Sequence, residues 1–455
     1  MTRRYPAYRE SGIDWLGEVP QHWDVGPLKR RYTVTLGKML QPEPKSEEDT
    51  FAQYLRAANI QWGMVDVSDM NSMWFSPADR KALTLNTGDL LVSEGGDVGR
   101  SAIWQGELEE CYFQNSVNRV RPQENASTAY LFYWMATIKA KGYVDVLCNK
   151  STIAHFTAEK VAAVPVPMPP LPEQIAVAAF LDRETAKIDA LVAEQRRLID
   201  LLREKRQAVI SHAVTKGLNP NAPLKPSGID WLGDVPEGWE VGPLKRFWSV
   251  TDCKHVTADF IDEGFPLASI REVQSRFIDL SEAKCTTEDY YTQLIEGRRK
   301  PLPGDLIFSR NATVGEVSQV SSWHPPFAMG QDVCLLRRIE EDFSPDYMQA
   351  FFDSSFVAKQ LDVLMIGATF KRVNVDAIRN LLVVCPPASE QAIIADQISA
   401  KSAGCDALTA TAETAIALLQ ERRAALISAA VTGKIDVRHL ARNEEEGHAV
   451  EEQVC

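Results

Sequence analysis

SGIDWLGDVPEGWEVGPLKRFWSV at 227–250 nearly repeats SGIDWLGEVPQHWDVGPLKRRYTV at 11–34, and 17 of the 24 aligned residues are identical, with Trp15/Trp231 and Trp23/Trp239 among them. Chance does not produce such a match, so the chain is a tandem duplication. The same shift of 216 relates GDLLVSEGGDVG (88–99) to GDLIFSRNATVG (304–315) and NSVNRVRP (115–122) to QDVCLLRR (331–338). A shift of 217 then relates DVLCNKSTIAHF (145–156) to DVLMIGATFKRV (362–373), PPLPEQ (169–174) to PPASEQ (386–391), and REKRQAVISHAVT (203–215) to QERRAALISAAVT (420–432). The repeated unit is half the chain.

Each unit has two parts. The first, about 150 residues, mixes short β-branched or aromatic runs with turn signals and a few helical stretches, which predicts an α+β globule with a mainly antiparallel sheet. The second opens on PP..EQ, where the prolines end the globule, and then carries no Gly or Pro from Glu173 to Thr215. That permits one helix of ~43 residues, ~64 Å long at 1.5 Å per residue. Leu181, Ile188, Leu202 and Val209 fall on a seven-residue grid interrupted by Gln195, with Leu191 and Leu198 on the complementary seam. The second copy places Ile398, Cys405, Ala412, Leu419 and Leu426 on the grid and Leu408 and Ala415 on the seam. Both helices are patterned for a coiled-coil partner, and the expected solution is that the two rods pack on each other, antiparallel. KGLNPNAPLKPSG reads as a Pro-rich connector, giving the order globule, rod, globule, rod.

Composition narrows the class. At 455 residues, 45% hydrophobic and 24% charged, the chain has ample core material for two to four domains. No apolar run approaches ~18 residues and the start, MTRRYPAYRESG, is too polar for a secretory signal, so a cytoplasmic location without membrane contact is expected. Eight cysteines are scattered without CxxC pairs, which predicts idle thiols and no metal site. The net charge of −13 argues against a uniformly basic surface. All of the excess lies in the second half, with 27 basic and 27 acidic groups in 1–226 against 22 and 35 in 227–455. Five of those acids are in the tail NEEEGHAVEEQVC, which reads as disordered.

The SGIDWLG opening, the GDLL/GDLI segment, the polar ST and AT turns, PP..EQ and the ERR/EKR run into ISxAVT, in this order and twice, resemble the DNA-specificity (S) subunit of type I restriction–modification systems over essentially the whole chain. The resemblance implies an α+β protein with two tandem pseudo-symmetric α+β target-recognition domains separated by two long antiparallel coiled-coil helices. The boundaries expected are 1–168 for the first recognition domain, 169–217 for spacer helix 1, 218–385 for the linker and second domain, 386–435 for spacer helix 2, and 436–455 for the acidic tail. It also implies that each domain reads one half of a bipartite, asymmetric site on double-stranded DNA, with the helices fixing the gap. On B-DNA, sites on one face recur every ~34 Å. Two methyltransferase (M) subunits holding S-adenosylmethionine would methylate adenine, and two restriction (R) subunits would join them. This chain would carry no cofactor and no catalysis.

The sequence carries no intact catalytic motif of a DNA-modifying enzyme. A DNA adenine methyltransferase, the alternative reading, needs a [DN]PP[YF] loop, and the nearest match, His324-Pro325-Pro326-Phe327, has His at the decisive position. GGDVG (95–99) suggests a phosphate loop, but its counterpart RNATVG lacks the leading glycines, an exchange a base-reading loop tolerates and a cofactor loop does not. Asp89 and Asp305, each next to Gly, are read as turn-forming. A coiled-coil scaffold without DNA function would leave the diverged loops unexplained.

Positions shared by the two copies should build the frame, and unlike positions should carry specificity. Trp15, Trp23, Trp231 and Trp239 are therefore assigned to packing, with rod ends as candidate partners. The candidate DNA contacts are Arg56, Asn59, Gln61, Arg100, Asn115, Asn118, Lys150, Ser151, Thr152 and His155 in the first half. In the second they are Arg271, Gln274, Arg276, Arg310, Asn311, Gln331, Thr369, Lys371 and Arg372. Arg and Lys suit guanine, Asn and Gln suit adenine, and Ser, Thr or Lys hold phosphate. Replacing Arg310 or Lys371 by Ala is expected to weaken one half-site by ~1–3 kcal/mol per lost base contact and spare the other. Apolar rod flanks should invite partners and make the isolated chain poorly soluble.

Overall fold

The computed structural model describes residues 3–148, 155–365 and 372–439. Two compact units divide the chain, one formed by 1–194 with 414–455 and the other by 195–413. Both long helices cross that division, so each unit contains half of each rod.

In the first unit a four-stranded antiparallel sheet runs in the order Ser101–Ile103, Leu90–Ser93, Val117–Pro122, Tyr32–Leu36. A smaller mixed sheet, Tyr112–Phe113, Thr50–Leu55, Asn71–Phe75, covers one face. Leu90, Leu91 and Val92 are consecutive apolar residues because both faces of their strand are buried. Leu91 packs with Tyr54, Met73 and Phe75 of the second sheet, while Leu90 and Val92 pack with Tyr130, Leu131 and Trp134 of the helix Thr128–Ala140. The second unit repeats this with Val317–Gln319, Leu306–Ser309, Val333–Arg338 and Trp248–Asp252 in one sheet and Cys285–Thr286, Phe265–Ala268 and Ala328–Met329 in the other. The partner of Leu90 is Val120 and that of Leu306 is Leu336, the same register 216 residues on. The Pro-rich connector supplies a strand, Leu224–Pro226, that pairs with Asp234–Pro236 as Tyr8–Glu10 pairs with Glu18–Pro20.

Buried polar groups explain why particular residues appear in both copies. Asp89 accepts from both Arg121 Nε and Nη2 (2.7 and 2.6 Å) and from Asn86 N–H, and Asp305 does the same with Arg337 (2.8 and 2.6 Å) and Leu302 N–H. The turn expected for these acids is thus reinforced by a bidentate ion pair. Gln174 accepts from Ser127 N–H and donates to Pro169 O, and Gln391 accepts from Ser344 N–H and donates to Pro386 O. The glutamate before each Gln takes an indole N–H, Trp23 to Glu173 and Trp239 to Glu390, both at 3.0 Å. PP..EQ is therefore a latch as well as a stop, fastening the start of each rod to the opening segment of its unit. The rod ends complete it. Gly433 (φ 71°) lies against Pro20 and Trp23, and Gly217 (φ 77°) against Trp239, where a Cβ would sit 3.2 Å from the indole in each case. Trp15 and Trp231 pack elsewhere, stacked on Trp134 and Phe356 respectively.

The rods, Leu171–Lys216 and Ala388–Val431, are antiparallel within each unit. In the first unit Val177 and Leu181 share a core with Ile427, Ala430 and Val431, and Arg423 donates twice to Asp189. In the second, Ile210, Ala213 and Val214 share a core with Ile394 and Ile398, and Arg206 lies 3.7 Å from Asp406. The grid Leu181, Ile188, Leu202, Ile398, Cys405 and Ala412 is buried, with Gln195, Val209, Leu419 and Leu426 half-buried. The companion seam differs from the expectation. Leu191, Leu198 and Leu408 are exposed, and Ala415 is half-buried. The buried companions lie four residues after each grid position rather than three, at Thr185, Val192, Ile199 and Ala213, and at Ser402 and Ala430. The grid is thus the d position of the heptad, and the leucines lie on the flank beside it.

Of the segment expected as tail, Asp436 N–H bonds Arg3 O and Val437 is buried in the first core. The remainder, 440–455, lies outside the described residues.

Candidate nucleic-acid interface

Four segments of the first unit meet at one edge of the two sheets. Residues 56–65 form a neck and a hairpin, Ile60–Gln61 with Met64–Val65, turning at Gly63 (φ 73°). Residues 94–100 form a loop closed by Ser93 N–H to Arg100 O and Gly99 N–H to Ser93 O. Ser116 ties the two together, since its Oγ accepts from Ala57 N–H and its carbonyl from Glu94 N–H. Phe156 N–H donates to Glu94 O, which brings in the segment at 155.

Arg100 donates to Gln61 Oε1 (3.1 Å) and Ala57 O (3.2 Å), with Asp97 3.8 Å away. Arg56 donates to Asp69 (2.7 Å). Asn115 is half-buried beside them and His155 is exposed, its Nδ1 3.9 Å from Glu94. Burial raises the Glu94 pKa, and His155 offsets part of that. The cations of this edge are thus oriented by acidic neighbours that a phosphate would have to replace.

Two candidates here serve the frame. Asn59 is buried, accepts from Arg56 N–H and donates to Asp66 O and Asp69 O, closing the neck of the hairpin. Asn118 lies inside the central strand and donates to Phe156 O. Their polarity satisfies buried backbone, and neither is at the surface expected of a reader. Lys150, Ser151 and Thr152 lie outside the described residues.

The second unit assembles the corresponding edge from different residues. Ser309 N–H to Glu316 O and Gly315 N–H to Ser309 O close the 310–316 loop as in the first copy. Glu272 replaces Asn59, accepting from Ser269 N–H at 2.8 Å while Asp279 N–H bonds its carbonyl, as Asp66 N–H bonds that of Asn59. Arg372 reaches Asp332 (3.0 Å), which also accepts from Asn311 Nδ2 (3.2 Å). Asp332, in a left-handed conformation (φ 62°), is a member of this cluster that sequence reading missed. Arg271, Gln274 and Gln331 are exposed. Arg276 is exposed over the Phe277 ring and paired with Asp346 (2.9 Å), on a recess walled both by the rods and by Val314, Gly315 and Glu316 of the 310–316 loop.

Arg310 does not stand on the exposed edge. It is 4% exposed, its Nη2 lies 3.1 Å from Asp252 Oδ1, and its backbone bonds Asp332 and Val373. Its Nε and Nη2 make no hydrogen bond among the described residues, so the ion pair with Asp252 is the contact by which it would act as a strut. Thr369 and Lys371 lie outside the described residues.

The exposed hairpin tips are a second omission. Trp62 and Met64 are exposed in the first unit, and Ser275, Arg276 and Phe277 stand in their place in the second. His324, at the decisive position of the PPF stretch, accepts from Ser321 N–H through Nδ1 and meets Ile278 O through Nε2 (both 2.8 Å), which makes it the pin of a turn.

Comparisons with known proteins span nearly the whole chain. The type I restriction enzyme EcoKI specificity subunit of Escherichia coli K12 is 22% identical over 449 residues, 94% of this chain and 92% of that protein. The MjaVIII specificity subunit of Methanocaldococcus jannaschii is 21% identical over 437 residues, 93% and 95% of the two chains. Among solved structures, a chain from work on complex assembly and conformational transition of the type I R-M system superposes with a TM-score of 0.68 at 15% identity, covering 91% of this chain and 98% of its own. The HsdS subunit of Thermoanaerobacter tengcongensis gives 0.53 at 15% identity, covering 92% and 98%. The model of the type I restriction modification DNA specificity domain matches residues 34–199 and 236–418, one stretch in each half, and the chain belongs to that family.

Proposed function

We propose that this chain is the DNA-recognition subunit of a type I restriction–modification complex and that its two globules read the two unlike halves of a bipartite target on double-stranded DNA. The observation that carries this is the division of labour between frame and edge. The two units repeat the same bidentate ion pair, Gln latch and loop-closing bonds, while the residues presented at the edge differ. Two copies with one recognition task would have no reason to keep the frame and change the tips.

Chemistry is assigned to partners. Two methyltransferase subunits holding S-adenosylmethionine methylate adenine, two restriction subunits join them, and this chain binds no cofactor and turns over no substrate. The rods support such docking, because Leu191, Leu198, Leu201, Leu408 and Leu418 expose apolar surface on their flanks. A cytoplasmic location is part of the same proposal; separately, among the described residues no helix is long and apolar enough to cross a membrane.

The test is to map methylated adenines in random-sequence DNA exposed to this chain with its M partner and S-adenosylmethionine. A two-part target with a constant gap is the expected result. Methylation or cleavage by the purified chain alone would overturn the assignment.

A further inference from the structure

A recess of about 850 Å³ lies within the second unit, between the helix Pro345–Phe352, the hairpin tip at 274–276 and the portions of both rods in that unit. Its origin is legible in the duplication. Tyr130 and Tyr347 are equivalent, each donating to a pair of carbonyls, Pro167 and Val431 in one unit and Val384 and Val214 in the other. At the same shift of 217, Tyr133 corresponds to Ala350, Asp182 to Ser399, and Thr185 to Ser402.

In the first unit the space is filled. Tyr133 is 4% exposed, donates to Asp182 Oδ1 at 2.6 Å and lies 3.4 Å from Thr185 Oγ1. The phenol bolts its helix to the first rod. In the second unit the phenol is missing, and Ala350, Ser399 and Ser402 are all in the wall of the recess. Ser402 is 8% exposed and its Oγ has no hydrogen-bond partner, although the equivalent Thr185 hydroxyl is satisfied. A buried hydroxyl left without a partner is destabilising, so an occupant that bonds it is favoured.

The charge of the wall selects among occupants. Asp353 stands where the first unit has Ala136, and no hydrogen bond or ion pair to its carboxylate is found among the described residues. Its side chain is exposed to the recess, and partial desolvation there pushes its pKa up to about 6 against the pull of Arg206. Five carboxylates, Glu316, Asp346, Asp353, Asp396 and Asp406, face two cations at the wall, with Arg276 engaged by Asp346 and Arg206 3.7 Å from Asp406. Ile210, Ile398 and Phe352 give it an apolar side.

We propose that this recess binds a small organic cation, with an aromatic or alkyl body in the place of the missing phenol and an ammonium or guanidinium group facing Asp353. The occupant bolts the helix Pro345–Phe352 to the second rod as Tyr133 bolts the equivalent helix to the first. The recess borders the edge proposed to touch DNA, sharing Gln274, Arg276 and the 314–316 part of its loop, but binding of a small cation does not depend on that reading.

Isothermal titration of the full chain with tyramine tests it, because tyramine carries a phenol and an ammonium two carbons apart. The shape controls are neutral 4-ethylphenol and anionic 4-hydroxyphenylacetate. The expected result is saturable tyramine binding at least about tenfold tighter than that of 4-ethylphenol, about 1.4 kcal/mol, with no binding of the anion. Ala350→Tyr, which restores the first unit's own filling, abolishes it, and Asp353→Asn removes the advantage of tyramine over 4-ethylphenol. Absence of saturable tyramine binding, equal binding of the neutral control, or unchanged binding by a folded Ala350→Tyr chain would each overturn the proposal. If Ala350→Tyr does not fold, Asp353→Asn decides alone.

Discussion

Leu198 and Leu202 are one turn apart on the first rod, and the structure assigns them opposite fates. Leu202 is 7% exposed on the grid, and Leu198 is 41% exposed on the flank. Leu202→Ala removes a buried isobutyl group and leaves a gap between packed helices, which costs about 2–3 kcal/mol at the low end of the range for buried leucines. In a unit of this size that lowers the melting temperature of the second unit by about 5–10 °C. Leu198→Ala removes surface already in water and changes stability by less than about 0.5 kcal/mol. Its expected effect is weaker assembly with the methyltransferase partner. The assay is hydrogen exchange over 195–216 and 391–413 in the isolated chain, with a melt, followed by titration of the M subunit. Equal destabilisation by the two variants, or a larger effect of Leu198→Ala on the free chain, would show that the seam is the one three residues from the grid.

Arg100→Ala frees Gln61 and the hairpin neck, and should weaken the first half-site by about 1–3 kcal/mol while sparing the second, read by methylation of targets mutated in one half at a time. Arg310→Ala leaves the Asp252 carboxylate without its buried partner and should destabilise the second unit by about 3 kcal/mol, visible in a melt without DNA; an unchanged melting temperature contradicts the strut assignment. Asp353 has a folded-state pKa of about 6, above its usual value of 3.8, so the folded chain binds that proton more tightly than the unfolded chain. Stability therefore falls as pH rises from about 4 through 6. Asp353→Asn should be the more stable protein at pH 8, by about 1 kcal/mol once the open side of the carboxylate is discounted, with the gap narrowing below about pH 6 and closed near pH 4. A gap that is constant from pH 5 to 8 refutes it.

The duplication and the rods were legible because each is written twice, whereas the pairing of Asp89 with Arg121 and of Asp305 with Arg337 needed the fold. Where reading failed, a polar residue was doing structural work at long range. Thr185, Arg206, Ser402 and Arg423 occupy the true companion seam, so hydrophobic pattern alone favoured the leucines at 191, 198 and 408. Asn118 resembled an adenine reader, yet its partner is a carbonyl 38 residues away that no local pattern reveals. Arg310 looked like a loop arginine until the Asp252 carboxylate closed over it from another strand. The edge was recognised as a set of segments, because divergence between copies marks segments. Individual side chains were not, since that needs the hydrogen-bond ledger of the folded chain.

The neck of the hairpin shows why such a frame can change its specificity without unfolding. The chain needs one oxygen at the neck to accept a backbone N–H three residues earlier, and both amide and carboxylate supply it, Asn59 to Arg56 at 2.9 Å and Glu272 to Ser269 at 2.8 Å. The exchange of Asn for Glu keeps the turn, and the carbonyl of the same residue still takes the N–H of Asp66 or Asp279. Nothing in that closure refers to the tip. Trp62-Gly63-Met64 and Ser275-Arg276-Phe277 therefore differ in charge, size and backbone freedom at no cost to the bonds beneath them. A recognition surface built this way can diverge one tip at a time, whereas a change to Asp305 or Gln391 strikes a buried partner and is paid for in stability before any base is read.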